Sequence, residues 1–300
     1  MAEKLDLLII GGGPAGLSAA IYAKRAELNM AVSIPDKYEM GQIADSANVD
    51  NYPGMPDISG FDLCMAFKKH ALNSGAKFIE SRVEKLDFLD KMWHASLKDG
   101  SHITAKTVIF AGGSRYRSLE IEGEEKFEGN GISYCAVCDG AFFKDKVTAV
   151  VGGGNSALDE ALYLSNVCNE VYLIHRRDDF RGNSATLNKL KEKENVIIKT
   201  NAYIEKLMGE ERLSGIVLNN GKKINLDGIF LAIGMMPDTK ILKNTGTLDK
   251  NGYVIAGEDC ITSADGLFVA GDARTKKLRQ VVTAVADGAA AVSSVLEYIR

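Results

Sequence analysis

The stretch that decides the fold is LLIIGGGPAGLSAAIYAKRA, residues 7–26, and a similar stretch, VTAVVGGGNSALDEALYLSN, runs over residues 147–166. Each is a short apolar strand followed by a glycine turn and an alanine-rich helix. The first turn fits G-x-G-x-x-G and the second fits G-x-G-x-x-A. The pattern residues are Gly11, Gly13 and Gly16 in the first copy, and Gly152, Gly154 and Ala157 in the second.

Each glycine in such a turn has its own physical role. The first permits the tight reversal from strand to helix, the second lets the backbone approach a pyrophosphate, and the third lets the helix pack closely on the strand. The helix N-terminus then presents free N–H groups and a partial positive charge to the phosphates. A single glycine turn after a strand is common without any ligand, whereas two copies in matching settings indicate two dinucleotide-binding units.

The residues that follow the second strand of each unit predict different dinucleotides. In the first unit the strand MAVSIP leads into Asp36, and an acid there suits a free 2′-hydroxyl, as in FAD or NAD. In the second unit EVYLIH leads directly into Arg176 and Arg177, with Arg181 one turn further on. Guanidinium groups bind a 2′-phosphate through charge-assisted hydrogen bonds, which favours NADP. The alternative is that HRRDDFR is only a solvated charged loop.

A third cofactor element, GLFVAGDA at residues 266–273, lies near the C-terminus. Asp272 ends this strand, where its carboxylate can accept a hydrogen bond from a ribityl or ribose hydroxyl. The distance of this element from the first glycine turn indicates a discontinuous first domain, with glycines at both crossings. We therefore predict an α/β protein of two Rossmann-like, three-layer dinucleotide-binding domains, the second inserted into the first. The predicted domains are 1–114 with 245–300, and 115–244.

Several motifs in this order resemble the low-molecular-weight thioredoxin reductases over nearly the whole chain. They are the first glycine turn, NYPG at 51–54, CAVCDG at 135–140, VVGGGNSALDEA, LIHRRDDFR and LFVAGDA followed by RQ. The resemblance implies FAD in the outer domain, NADPH in the inserted domain and a homodimer. The chain departs from the family at Met40-Gly41-Gln42, where Gly-Gly-Gln is common, and at Gly182-Asn183-Ser184, where a run of small residues is often found.

The resemblance also implies which residues contact the two cofactors. For FAD these are Gly11, Gly13, Pro14, Ala15, Gly16, Asp36, Gln42, Asn51, Asp272, Arg279, Gln280 and Val281. For NADPH they are Gly152, Gly154, Asn155, Ser156, Ala157, His175, Arg176, Arg177 and Arg181.

The cysteine pair in SYCAVCDGAFF, residues 133–143, has three interpretations. A structural zinc site needs four ligands, and the sequence has no second cysteine pair. A buried inert pair does not need the polar Asp139 that follows. A redox disulfide accounts for each residue, because an adjacent carboxyl group can transfer protons during thiol–disulfide exchange. By resemblance, Cys138 is the sulfur nearer the flavin, Cys135 attacks the partner's disulfide and Asp139 is the acid.

The composition narrows the function classes. The chain has 300 residues, of which 46% are hydrophobic and 25% charged, and its net charge is −4. No overall positive field would attract nucleic acid or an anionic membrane, and we predict neither as a partner. The five cysteines are odd in number and include one close pair, which is not a secreted disulfide framework. Together with the absence of a signal-peptide pattern, this predicts a cytoplasmic protein without a metal site.

The predicted function is electron transfer from NADPH through FAD and the cysteine pair to thioredoxin. Three alternatives remain open at this point. The donor could be ferredoxin or NADH, or the client could be another disulfide protein such as the carrier of a peroxidase system. The third alternative is a redox-inert nucleotide-binding protein.

Overall fold

The computed structural model describes residues 4–36, 40–46 and 48–300. The chain forms two compact units. The outer unit comprises the residues up to Arg115 together with Met236–Arg300, and the inserted unit comprises Tyr116–Met235. The predicted inserted domain ended later, at residue 244. The segment after Met235 belongs to the outer unit because Leu242 is fully buried in an apolar cluster there.

Strands and helices alternate along much of the described chain. The strands are β1 (Lys4–Ile10), β2 (Met30–Ile34), β3 (Lys77–Glu80), β4 (Val83–Leu89), β5 (Met92–Leu97), β6 (His102–Phe110), β7 (Ser114–Tyr116), β8 (Ile132–Ser133), β9 (Val147–Val151), β10 (Glu170–Ile174), β11 (Val196–Lys199), β12 (Ile204–Gly209), β13 (Leu213–Leu218), β14 (Lys223–Asn225), β15 (Gly228–Leu231), β16 (Met235–Pro237) and β17 (Leu267–Val269). The helices are α1 (Pro14–Arg25), α2 (Gly60–Asn73), α3 (Glu124–Phe127), α4 (Ala136–Asp139), α5 (Asn155–Leu164), α6 (Ser184–Lys191) and α7 (Val281–Ile299). Short 3-10 turns lie at Gln42–Asp45, Gly140–Phe143, Lys240–Leu242 and Gly271–Ala273.

The outer unit is built on a parallel sheet in the order β3-β2-β1-β6-β17. Strand β6 is long enough to pair at its start with β5, so that β4, β5 and β6 form an antiparallel meander. The side chains of β1 alternate between two apolar clusters, as the period of a strand requires. Leu7 and Ile9 pack among residues of α1 and α7, whereas Leu8 and Ile10 pack with Trp93 of the meander. The sheet is therefore covered on both faces.

The inserted unit repeats this layout. Its parallel sheet has the order β11-β10-β9-β15-β8, and β12, β13 and β14 form a separate antiparallel meander. Val150 of β9 packs with Leu158 of α5, whereas its neighbours Ala149 and Val151 pack with Ile216 of the meander. Two three-layer α/β units of the dinucleotide-binding type are present, and the predicted fold class is confirmed.

Helix α7 is long and apolar enough to cross a membrane by length and composition alone. It is nevertheless a core helix of the outer unit. Ala291 and Val295 are fully buried in the cluster that contains α1. A side chain at Gly288 would meet the Ala15 carbonyl oxygen at 2.2 Å, so the two helices are in close contact. The apolar composition of α7 is thus explained by packing.

Candidate functional site

The first glycine turn joins β1 to α1. Gly11 has a φ of +118°, and a Cβ atom there would lie 2.3 Å from the Ala111 carbonyl oxygen. A Cβ atom at Gly16 would lie 2.0 Å from the Gly11 carbonyl oxygen. The protein's own backbone therefore requires these two glycines. At Gly13 the nearest atom to a Cβ would be the Met40 carbonyl oxygen, at an ordinary 3.6 Å, so the backbone here leaves room for a ligand.

The second glycine turn, between β9 and α5, has the same division of roles. A Cβ atom at Gly152 would lie 2.4 Å from the Ala232 carbonyl oxygen and 2.8 Å from the Ala157 methyl carbon. A Cβ atom at Gly154 would meet nothing within 4 Å. Both turns thus have closed outer positions and an open middle position, which fits the approach of a pyrophosphate to the middle glycine.

The other predicted FAD residues lie around the first turn. Gly271 lies beside Ala15, since a Cβ atom on Gly271 would be 2.9 Å from the Ala15 methyl carbon. The Arg279 guanidinium donates to the Asp272 carbonyl oxygen over 3.4 Å. Asp272 itself has a buried Oδ1 atom without a hydrogen-bond partner, and burial raises the pKa of this carboxyl group. An unsatisfied buried acceptor at this position fits a ribityl hydroxyl donor.

The segment before α7 connects to the NYPG motif. The Asn51 amide donates to Gln280 Oε1 over 3.2 Å, and Gln280 caps α7, whose first residue is Val281. Gln42 begins a 3-10 turn next to Gly41, which a Cβ on Gly13 would contact. Asp36 is exposed and follows β2, at the same end of the sheet as the glycine turn. The FAD assignments of these residues stay predictions.

A buried ionic network supports the turn that carries Asp272. The Asp287 carboxylate on α7 accepts from the Gly271 N–H at 2.9 Å, from Arg274 Nη2 at 2.8 Å and from Lys276 Nζ at 2.8 Å. Burial alone would raise the pKa of Asp287, but the hydrogen bonds from Arg274 and Lys276 outweigh it and the pKa is lowered. The carboxylate therefore stays ionised and holds the backbone of the turn.

In the inserted unit, the arginine segment folds back over the second glycine turn. The backbone N–H groups of Arg181 and Gly182 donate to the Gly153 carbonyl oxygen over 2.8 and 3.1 Å, and the Asn183 N–H donates to Asn155 Oδ1 over 2.8 Å. Gly182 is required here because a Cβ atom would lie 2.5 Å from Leu158 Cδ1. Gly182 therefore packs closely against the start of α5.

The predicted NADPH residues occupy different surroundings. Arg176, Arg177 and Arg181 are exposed, and within the described residues none of them forms an ion pair. Asn155 and Ser156 are exposed at the start of α5. His175 is instead buried against Gly153, where a Cβ atom would lie 2.2 Å from the imidazole ring. Burial, together with the charges of the nearby arginines, lowers the pKa of His175. All of these NADPH assignments stay predictions.

The two cysteines of the motif form a disulfide, Cys135–Cys138. Cys135 caps the short helix α4, and its Sγ accepts from the Cys138 N–H at 3.2 Å. Both residues are partly exposed, whereas Cys64, Cys168 and Cys260 are buried and are not part of a disulfide among the described residues. Ala136, between the two cysteines, is buried among residues of α5. The disulfide therefore lies in the same unit as the second glycine turn, and its helix α4 packs against α5, the helix that begins at that turn.

Comparison with known proteins agrees with this arrangement. A family model described as pyridine nucleotide-disulphide oxidoreductase matches residues 5–288. A thioredoxin reductase of Mycoplasma pneumoniae is 42% identical over 98% of this chain and 95% of its own length. One of Bacillus subtilis is 37% identical over 99% of this chain and 96% of its own. The crystal structure of thioredoxin reductase from Streptococcus pyogenes has a TM-score of 0.91 at 36% identity, covering 100% and 99% of the two chains.

The chain belongs to the low-molecular-weight thioredoxin reductase family. It is a flavoprotein disulfide reductase of the pyridine nucleotide-disulphide oxidoreductases, and its cofactors are FAD and NADPH. The open middle glycines and the unsatisfied Asp272 oxygen fit these two nucleotides. The predicted family membership, enzyme class and cofactors are confirmed.

Two features of the site were not predicted from the sequence. The first is the hydrogen-bond network around Asp287. Its signal in the sequence was a lone acid inside the apolar run of α7, which indicates that the carboxylate has a buried partner. The second is Ser133, whose hydroxyl contacts Asp139, and nothing in the sequence distinguished this serine from others.

Proposed function

We propose that this member of the thioredoxin reductase family reduces the disulfide of a thioredoxin with electrons from NADPH, through FAD and the Cys135–Cys138 pair. The observation that carries the proposal is a partly exposed disulfide, next to Asp139, in the unit that also contains the second glycine turn and the arginine segment. Curated relatives named thioredoxin reductase, more than one-third identical over nearly the full length, support thioredoxin as the client.

The two cofactors are assigned to different units. The first glycine turn, Asp272 and the capped N-terminus of α7 hold FAD in the outer unit. The second glycine turn and the exposed arginines hold NADPH in the inserted unit. When bound, NADPH supplies a hydride, and FAD carries its two electrons to the disulfide. Hydrogen bonds hold the segment from Arg181 to Asn183 beside the glycine turn. The exposed guanidinium groups are therefore near the proposed nucleotide site, where they would bind the 2′-phosphate.

The disulfide then passes the two electrons to the client. Two electrons and one proton open the Cys135–Cys138 bond to one thiol and one thiolate. The Cys135 thiolate attacks the client's disulfide and forms a mixed disulfide, releasing one client sulfur as a thiolate. Attack by Cys138 on Cys135 restores the internal disulfide and releases the second client sulfur. Asp139 transfers protons to and from the sulfurs, and the complete cycle consumes one proton and NADPH.

The surface next to the disulfide suits a protein client. Val137, between the two cysteines, is 61% exposed and Phe142 is 56% exposed. Phe143 is different, because its ring packs edge-on against Phe230 in the core of the inserted unit. Val137 and Phe142 are therefore the apolar contacts that remain available to a thioredoxin.

The enzyme is proposed to act as a cytoplasmic homodimer. An apolar row on α2 of the outer unit, formed by Phe61, Met65 and Leu72, supports a contact with a second copy. These side chains are 43%, 39% and 50% exposed, and they follow helical spacing on one face.

Cysteine variants test the relay. Cys135→Ser and Cys138→Ser should each reduce NADPH-dependent thioredoxin reduction to background, while anaerobic NADPH still bleaches the flavin absorbance. Each variant lacks one sulfur of the relay but retains both nucleotide sites. Cys168→Ala, which changes a buried free cysteine of the same unit, is the matched control and should keep its activity. Full thioredoxin reduction by either serine variant would contradict the proposal.

A further inference from the structure

The hydroxyl of Ser133 connects the redox segment to the carboxylate beside it. Ser133 Oγ donates to Asp139 Oδ2 over 2.6 Å and accepts from the Cys135 N–H over 3.2 Å. The serine is only 6% exposed. A hydroxyl group can donate one hydrogen bond, and here Ser133 donates it to the Asp139 carboxylate.

Ser133 is itself held firmly. It lies in β8, which pairs in parallel with β15, and its register partner there is the fully buried Phe230. On the other side of the motif, the Asp139 N–H donates to the Cys135 carbonyl oxygen over 3.0 Å. The serine is thus anchored in the sheet, and the backbone of the acid is anchored to the first cysteine.

The two carboxylate oxygens of Asp139 have different surroundings. Oδ2 is bound by Ser133, whereas in the described part of the chain no donor reaches Oδ1. The side chain is partly exposed, so Oδ1 remains available for proton exchange. A short, charge-assisted hydrogen bond to one oxygen fixes the plane of the carboxylate.

We propose that Ser133 is a positioning residue for Asp139, keeping the carboxylate in a fixed orientation for proton transfer at the cysteine pair. This inference rests on the proposed function, because the proton transfer belongs to the disulfide relay. Removing the hydroxyl leaves Asp139 without its donor. The carboxylate then rotates more freely, which alters catalysis through Asp139 rather than through the disulfide itself.

The test compares Ser133→Ala with two other variants in a thioredoxin reduction assay. The assay runs from about pH 5.5 to about pH 9, so that it covers both sides of neutral pH. We expect Ser133→Ala to lower kcat about tenfold, as for loss of a charge-assisted hydrogen bond, with KM for thioredoxin nearly unchanged. We also expect the pH dependence of kcat to change, because proton transfer through a less well oriented Asp139 then limits the rate. Ser133→Thr retains a hydroxyl and should preserve the wild-type profile.

Ser165→Ala is the matched control. Ser165 is also 6% exposed and lies in the same unit, but its hydroxyl donates to the Leu162 carbonyl oxygen, at the end of α5. Loss of this bond should leave the pH profile in place. A wild-type pH profile in Ser133→Ala, or an equal change in Ser165→Ala, would overturn the inference. If Ser133→Ala does not fold, an altered pH profile in Ser133→Thr also overturns it.

A double-mutant cycle with Asp139→Asn separates positioning from packing. If Ser133 acts through Asp139, adding Ser133→Ala to Asp139→Asn has little further effect on kcat. An undiminished tenfold loss in the Asn background (about 1.4 kcal/mol) would assign Ser133 a structural role and overturn the inference. Failure of the wild type to reduce thioredoxin while NADPH still bleaches its flavin would instead contradict the proposed function, so the two failures are distinguishable.

Discussion

Arg176 and Arg177 are the residues on which the choice of nicotinamide dinucleotide rests. We expect the double variant Arg176→Ala, Arg177→Ala to raise KM for NADPH by at least about tenfold, since a charge-assisted hydrogen bond to phosphate contributes ~1.5–3 kcal/mol. KM for NADH should change little, because NADH lacks the 2′-phosphate. Steady-state kinetics with both donors measures this. The control is Lys189→Ala, an exposed cation on α6. Equal losses for both donors would contradict the 2′-phosphate assignment.

Glu160 of α5 leads to a second prediction at the residue scale, which concerns the pH dependence of folding stability. Its Oε2 atom is buried without a hydrogen-bond partner, and burial, followed by the charge of Asp159, raises its pKa from 4.5 to about 7. Between about pH 4.5 and about pH 7, the folded state therefore binds more protons at Glu160 than the unfolded state does. It follows that the contribution of Glu160 to stability falls as the pH rises from about 4.5 to about 7.

Glu160→Gln should remove this dependence. We expect the variant to be more stable than the wild type at pH 8, by on the order of 2 kcal/mol, and the difference to shrink at pH 5. Thermal unfolding at the two pH values measures the change. Glu192→Gln replaces an exposed carboxyl group of the same unit and should show no such pattern. A stability difference independent of pH would rule out Glu160 as the titrating group.

At the scale of elements, α7 combines packing with support of the proposed FAD site. Asp287→Asn leaves Arg274 and Lys276 as buried cations without their anionic partner, and it leaves one oxygen in place of the two that accept from Gly271, Arg274 and Lys276. Breaking a buried ion pair costs about 3 kcal/mol or more. We expect the variant to release FAD at least about tenfold more readily and to unfold at a lower temperature, as followed by flavin fluorescence on dilution and by calorimetry.

The control on the same helix is Ser294→Ala. Ser294 is buried and donates to the Asp259 carbonyl oxygen over 2.7 Å. Its loss should lower stability by about 1 kcal/mol without changing FAD release. If Asp287→Asn retained FAD like the wild type, the network would have no role in supporting the cofactor turn.

The elements themselves could largely be predicted from the sequence. LLII and AVV are continuous apolar runs because buried parallel strands are covered on both faces, and the glycine turns have fixed spacing because backbone atoms approach there. The contacts between distant side chains could not be predicted. Asp287 meets Arg274, and Asn183 meets Asn155, only because the chain folds back on itself. Propensity and periodicity describe neighbours along the chain, so even where the lone Asp287 in an apolar helix signals a buried partner, they do not identify that partner.

At the scale of the whole molecule, the proposed dimer gives a prediction for the surface of α2. We expect the wild type to sediment as a dimer, and the double variant Phe61→Glu, Met65→Glu to shift toward monomer, because charges would be buried in an apolar contact. Leu89→Glu is the control, since Leu89 is 60% exposed in the same unit but lies on β4. A dimeric double variant would place the interface elsewhere, and a monomeric wild type would contradict the dimer.

The matching sheets of the two units have a consequence for how chemistry is distributed along the chain. The fifth parallel strand is β17 in the outer unit and β8 in the inserted unit, so it comes from the last strand of one unit and the first strand of the other. In the outer unit this strand leads to Asp272, and in the inserted unit it leads to Cys135 and Cys138. The same position in the two sheets therefore carries a carboxylate in one unit and a pair of sulfurs in the other.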